Sequence, residues 1–413
     1  MTDQKFIYKC VNCEKEYGTG TVRYLCPVCE LENLPGRPPK GVLKILYDYT
    51  ALKRSLTTYS SLKAKRFQDI LPITNIASLP RLRVGETPLY ERSDLVNHPD
   101  SHRLFFKDDA LNPSFSFKDR ASALVSAFAK ENGFSTIVAA STGNAGSSIA
   151  AICADQGQKA IVLVPEKAPI AKLTQIVMYG AKIIPVKGTY DDAFDLSVEA
   201  SRLFDWYNRN TAYNPLTIEG KKTVSFELFE QMGYQVPDRI FVPTGDGVIL
   251  SGVYKGFEDL MLSGITHKMP VVVAVQAAGS DNLVRNLQRS EFEIHKSATF
   301  ADSISVDAPR NFYMAQHFIK KYNGESITVT DEEIIRASAQ LAGQTGIFTE
   351  PASASAYAGY SKMAEEGVIH QGSTNVVLLT GSGLKDLKAV GSIISMPESI
   401  EKDLDQLKRL AAL

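Results

Sequence analysis

From Arg103 onward, short β-branched and apolar runs alternate with longer segments in which apolar residues return at the helical period. That alternation predicts strand–helix–strand units laid into parallel sheets covered on both faces. In the clearest stretch it predicts a strand over Thr136–Ala140, a helix over Asn144–Gln156, a strand over 159–164, a helix over 169–179 and a strand over 181–186. A second set comprises a strand over 239–242, a helix over Val248–Leu262 and a strand over 271–276, and a last strand covers 375–379. Thr330 and Glu333 have the spacing of a capping box and predict another helix start. Ile400, Leu404, Leu407 and Leu410 recur at helical spacing and predict a closing helix over 398–410, docked on its own domain. Residues 1 to about 80 differ. They run through a cysteine-bearing segment, a Pro/Gly-rich stretch at 34–41 and a polar, basic region ending at Pro80, and read as an N-terminal appendage.

A chain of 413 residues is long enough for more than one compact unit around a large core. With 44% hydrophobic and 22% charged residues it has a globular composition, and a net charge of -1 gives no overall attraction for nucleic acid or an anionic membrane. The longest apolar runs, near Ile161 to Pro165 and Val271 to Val275, are strand-sized and far short of the ~20 residues that span a bilayer. The opening residues lack the basic, apolar and small-residue regions of a secretory leader, so a cytoplasmic setting is expected. Thiols stay reduced there, and the five cysteines need an explanation other than disulfides.

Cys10, Cys13, Cys26 and Cys29 form a C-x2-C-x12-C-x2-C pattern, which lets two knuckles present four thiolates to a tetrahedral Zn²⁺. Between the pairs stand only Lys15, Arg23, Tyr17 and Tyr24, too sparse a basic and aromatic surface for nucleic acid, so a structural role is expected. Cys153, within the apolar helix, reads as core.

Four further segments carry chemistry. Lys118 follows an irregular loop and opens a helix with apolar Ala121, Leu124, Val125 and Phe128. A partly desolvated lysine at a helix N-terminus is favoured in its neutral, nucleophilic form, the form that condenses with an aldehyde. After the strand ending at Ala140, Ser141-Thr142-Gly143-Asn144-Ala145-Gly146 opens a helix and aims backbone N–H groups at an anion such as a carboxylate. After the strand ending at Val242, Gly245, Asp246, Gly247, Val248 and Ile249 make a second such turn, suited to a cofactor phosphate. Thr380, in the hydroxyl- and glycine-rich end of the last strand, is placed to reach a ring nitrogen.

Together these segments resemble the threonine synthases, a family of fold-type II pyridoxal-phosphate (PLP) enzymes, over roughly residues 84–386. The resembling stretches are 85–89 (GETPL), 112–120 (NPSFSFKDR), 141–144 (STGN), 214–223 (NPLTIEGKKT), 350–353 (EPAS) and 380–386 (TGSGLKD). The resemblance implies an α/β fold like the tryptophan synthase β subunit, with two doubly covered, mostly parallel sheets and an added four-cysteine ribbon. It implies a ribbon over residues 1–40, a large PLP-binding domain over 41–120 and 221–413, and a small mobile domain over 121–220. Lys118 is implied as the Schiff-base lysine and proton carrier, Asn144 as partner of the ring hydroxyl, the 245–249 loop as phosphate holder and Thr380 as the group facing the pyridine nitrogen. The implied reaction converts O-phosphohomoserine and water to threonine and phosphate, and the implied assembly is a homodimer. Ser141 and Thr142 are expected at the substrate.

The chain departs from the family pattern at Phe115 (usually small), Thr217 (usually arginine), Asp246 (usually asparagine) and Ser382 (often histidine). Asp246 is expected to turn away from the phosphate and cap the following helix. Lys107, Lys221 and Arg310 are the candidate cations for the charge missing at Thr217. Related readings stay open: a cysteate synthase, a threonine or serine dehydratase, or a catalytically silent regulator.

Overall fold

The computed structural model describes residues 4–96, 101–387, 391 and 399–411. Among these residues no helix is long and apolar enough to cross a membrane.

The chain builds three sheets. The first has the order β2-β1-β3, where β1 is Phe6–Cys10, β2 Glu16–Tyr17 and β3 Leu43–Tyr47, all antiparallel. The second runs β12-β11-β10-β13-β5-β4, with β4 Leu89–Glu91, β5 Arg103–Asp108, β10 Arg239–Pro243, β11 Val271–Ala277, β12 Glu325–Val329 and β13 Thr374–Leu379. Its pairings are parallel except at the edge, where β4 lies antiparallel to β5. The third, wholly parallel, runs β8-β7-β6-β9, with β6 Thr136–Ala140, β7 Lys159–Pro165, β8 Lys182–Val186 and β9 Tyr207–Asn208.

Central strands such as β10 (RIFVP) and β13 (TNVVLL) are apolar on both faces because helices cover both. The helices Asn144–Gln156 and Val248–Leu262 and the strands around them lie where the hydrophobic pattern puts them, to within about two residues, the usual scatter of element ends. Thr330 Oγ1 accepts the Glu333 N–H and the Glu333 carboxylate accepts the Thr330 N–H, completing the expected capping box.

Two expectations are corrected. The N-terminal segment is no separate appendage: Phe6, Tyr8, Ile45 and Tyr47 on β1 and β3 belong to the main core, with Phe6 against Phe128 of the Lys118 helix. The strand period of two puts these residues on one face, and the main body covers that face. The closing helix covers Leu404–Ala411, and Ile400, Leu404, Leu407 and Leu410 are exposed rather than docked. Part of its predicted start, at Glu398, lies outside the described residues.

Candidate active site

Lys118 is the first residue of the helix Lys118–Glu131. The loop before it is tied off by Asp119, whose carboxylate accepts the Ser114 N–H (2.7 Å) and the Ser114 hydroxyl (2.6 Å). The same loop is stitched to the end of β13, for the Phe117 N–H donates to Thr380 O (2.9 Å) and the Ser382 N–H to Phe115 O (3.1 Å). Lys118 and Thr380 are thereby brought to one place from distant parts of the sequence. Burial lowers the Lys118 ammonium pKa below its ordinary value of 10.5; Glu350 opposes the shift and Arg209 adds to it. Desolvation therefore shifts Lys118 toward the neutral amine, the direction expected for a lysine that condenses with an aldehyde.

Thr380 is held by Ser353, whose Oγ accepts the N–H groups of Thr380 and Gly381 (2.8 Å each) and lies 3.0 Å from Thr380 Oγ1. Ser382, by contrast, accepts the Leu384 N–H at the start of the short turn Gly383–Lys385. Asn144 opens the helix Asn144–Gln156 and donates through Nδ2 to both oxygens of Glu350 (3.1 and 2.9 Å). Burial pushes the Glu350 carboxyl up, and the Asn144 amide and Lys118 oppose that rise. Lys385, bonded to Ser114 O (2.8 Å), Ser147 Oγ (2.9 Å) and Gln175 Oε1 (2.8 Å), is pushed down to about 8 by burial against the pull of Glu350 and Asp119.

The loop before the helix Val248–Leu262 tests whether a phosphate fits. Among the described residues no acceptor is bonded to the N–H groups of Gly245, Asp246, Gly247, Val248 or Ile249. Gly247 sits at φ +84°, and a Cβ on it would meet Ala315 and Leu283 at 2.9 Å, so the turn requires glycine. Unpaired donors converging at a helix N-terminus suit a phosphate. Asp246 does not cap the helix as expected, and its charge acts on Lys118 and Lys221. Its Oδ1 accepts the Arg310 N–H (2.9 Å), and no side chain caps this helix start, whose N-cap is Gly247.

The candidate cations separate. Lys107 is buried and donates to Glu227 (2.7 Å), Thr87 O (2.7 Å) and Gln231 (2.8 Å). Arg310 pairs with Asp191 and lies over the rings of Phe194 (4.2 Å) and Tyr190 (5.3 Å). Lys221 is fully buried and its Nζ has no hydrogen-bond partner among the described residues. Burial lowers its pKa well below the ordinary value, and Lys118 and Arg209 add to the shift. Thr217, one turn earlier, turns its hydroxyl onto Asn214 O (2.7 Å). The sequence reading missed Glu350, Ser353 and Arg209. The stretch Glu350-Pro351-Ala352-Ser353 carried a signal, a proline and small residues opening a helix, whereas Arg209, just after the two-residue strand Tyr207–Asn208, carried none.

The four cysteine sulfurs converge within 4.8 Å of one another, with Cys10 Sγ 3.7 Å from Cys29 Sγ and Cys13 Sγ 3.6 Å from Cys26 Sγ. A tetrahedron of sulfurs at the Zn–S distance of about 2.3 Å has edges of about 3.8 Å, so this donor set fits zinc.

A sheet pair of this topology, with a glycine-rich anion loop and a desolvated lysine between, defines a class. The pyridoxal-phosphate dependent enzyme family matches residues 81–381, and the chain belongs to it. In fold it is similar to maize serine racemase, with a TM-score of 0.65 at 20% identity over 79% of this chain and 94% of that one. Within the class it belongs with the threonine synthases. It is 36% identical to threonine synthase of Methanocaldococcus jannaschii over 98% of this chain and 99% of the relative. It is also 36% identical to that of Halalkalibacterium halodurans, over 83% of this chain and 96% of the relative.

Proposed function

We propose that the protein makes threonine and phosphate from O-phosphohomoserine and water, with Lys118 as the lysine that carries PLP. One observation carries this reading: the desolvated Lys118 amine is within electrostatic reach of Asp246, whose loop has five N–H groups unbonded among the described residues, in a chain that aligns with threonine synthases over nearly its full length. When bound, PLP supplies an electron sink that acidifies the substrate Cα–H and, through it, the Cβ–H.

The N–H groups of residues 245–249 would hold the cofactor phosphate, and Thr380 Oγ1, fixed by Ser353, would face the ring nitrogen as a neutral partner. Asn144 would face the ring hydroxyl, oriented by Glu350. Ser141, Thr142 and the start of the helix Asn144–Gln156 would receive the substrate carboxylate. Lys118 Nζ would remove the Cα proton and then a Cβ proton, after which the Cγ–O bond breaks and phosphate leaves; it would return a proton to Cγ, take one from the water whose oxygen bonds to Cβ, and return one to Cα, and so serve as base and acid in turn. The parts would divide as a ribbon over 1–40, a large domain over 41–120 and 221–413, and a small mobile domain over 121–220. The ribbon would hold structural zinc on Cys10, Cys13, Cys26 and Cys29; the enzyme would be a cytoplasmic homodimer.

The test is phosphate release from O-phosphohomoserine by the PLP-loaded enzyme, with threonine identified as co-product. Lysine-dependent threonine formation supports the reading; phosphate release without threonine, or deamination of unphosphorylated amino acids alone, rejects it. For the ribbon, a strong chelator should remove about one zinc per chain and lower the melting temperature, because metal binding is coupled to folding.

A further inference from the structure

Lys221 lies within electrostatic reach of Lys118 and Arg209, which both lower its pKa; Arg209 also lowers that of Lys118, and Asp246 opposes the shift on both lysines. Arg209 is fully buried and meets only uncharged acceptors: Ser122 Oγ from Nε (3.1 Å), Thr211 Oγ1 (3.2 Å) and Lys118 O (3.5 Å). Among the described residues Lys221 Nζ meets no acceptor. Its stem is pinned, since a Cβ on Gly252 would come within 2.7 Å of Lys221 Cβ, so the side chain cannot retreat into the helix Val248–Leu262 that begins at the anion loop. Among the described residues neither Arg209 nor Lys221 has a bonded anion, only the more distant charges of Asp119 and Asp246, so burial disfavours the charged form of Lys221, and that cost is recovered when a dianion enters.

The other two anions of the reaction have receptors elsewhere, the cofactor phosphate on the 245–249 loop and the substrate carboxylate at the 141–144 turn. The ester phosphate of the substrate does not. Lys221 follows Thr217 by four residues on the helix Leu216–Lys221, so it presents its charge from the same face one turn on. We infer that Lys221 and Arg209 together form the receptor for the substrate's phosphate ester, a site that rests on the threonine-synthase reading for the identity of the ester but not for the presence of a phosphate.

The experiment titrates the PLP-loaded enzyme with inorganic phosphate by calorimetry and measures KM for O-phosphohomoserine in the wild type, Lys221→Met and Lys221→Arg, with bound-cofactor absorbance followed throughout. Lys221→Met should weaken phosphate binding and raise KM by about 30-fold or more. Lys221→Arg should restore much of both, and cofactor absorbance should be unchanged in each. Unchanged phosphate affinity in Lys221→Met overturns the assignment. So does loss of cofactor with free-phosphate affinity kept, which would give the charge to the cofactor's own phosphate. If Lys221→Met does not fold, Lys221→Gln is read in the same way. A wild type that binds phosphate through Lys221 yet does not turn over the ester would sink the reaction and keep the site. A fully active Lys221→Met would do the reverse.

Discussion

Lys221 ends the helix Leu216–Lys221 and Lys222 follows it as the cap; both are fully buried, and their surroundings are opposite. Lys222 donates to Glu219 and to Asp259 (2.6 Å), with Tyr47 OH at 3.4 Å. Lys255 shares the same two carboxylates, and Tyr47 and Tyr49 donate to them as well (2.5 Å each). That cluster is complete in itself and ties β3 to the helices Leu216–Lys221 and Val248–Leu262. Lys221 instead faces Lys118 and Arg209, with Asp246 farther off, and among the described residues no carboxylate is bonded to Lys221 or Arg209. Burial alone therefore does not mark a functional lysine. Burial without a partner does, because folding does not tolerate an uncompensated charge unless something else is gained from it.

The contrast can be broken in several places. Lys118→Ala should reduce threonine formation by about 10³-fold or more while leaving the melting temperature nearly unchanged, measured by turnover and thermal unfolding. Lys222→Met should cost about 3–5 kcal/mol in urea unfolding, since it strands buried carboxylates. The identical change one residue earlier, Lys221→Met, should leave stability of the cofactor-free protein equal or higher; a loss as large as that of Lys222→Met would erase the distinction. The paired region should also set the acid limit. Burial pushes the Glu227 carboxyl up, but Arg120 and Lys107 outweigh it and hold it down to about 2, below its ordinary 4.5. Its contribution is thus present above pH 4.5 and lost as pH falls toward 2, and Glu227→Gln should flatten that part of the stability–pH curve. The smallest effect belongs to Phe115, half-exposed at φ +64°. A side chain in the left-handed region costs about 1 kcal/mol, so Phe115→Gly should be neutral or slightly stabilising in thermal unfolding.

Much of this was written locally. The alternation of apolar runs, the glycine at 247 and the spacing of the four cysteines each fix a short-range property: a period, a backbone angle, a ligand geometry. Residues 136–186 and 239–276 therefore folded as read, and Lys118, Asn144, residues 245–249 and Thr380 were all legible as loop or helix-start residues. Partnership was not legible, because it depends on what arrives from elsewhere in the chain. Nothing in the string GKK at 220–222 says that Lys222 meets Asp259 and Lys221 meets nothing, that Asp246 turns to Arg310, that Lys107 is held by Glu227, or that β1 and β3 enter the main core. By itself the sequence determined the elements and the chemical groups available. Only the tertiary structure decided which charges are neutralised and which await a ligand, because electrostatic energy depends on distance and burial rather than on order along the chain.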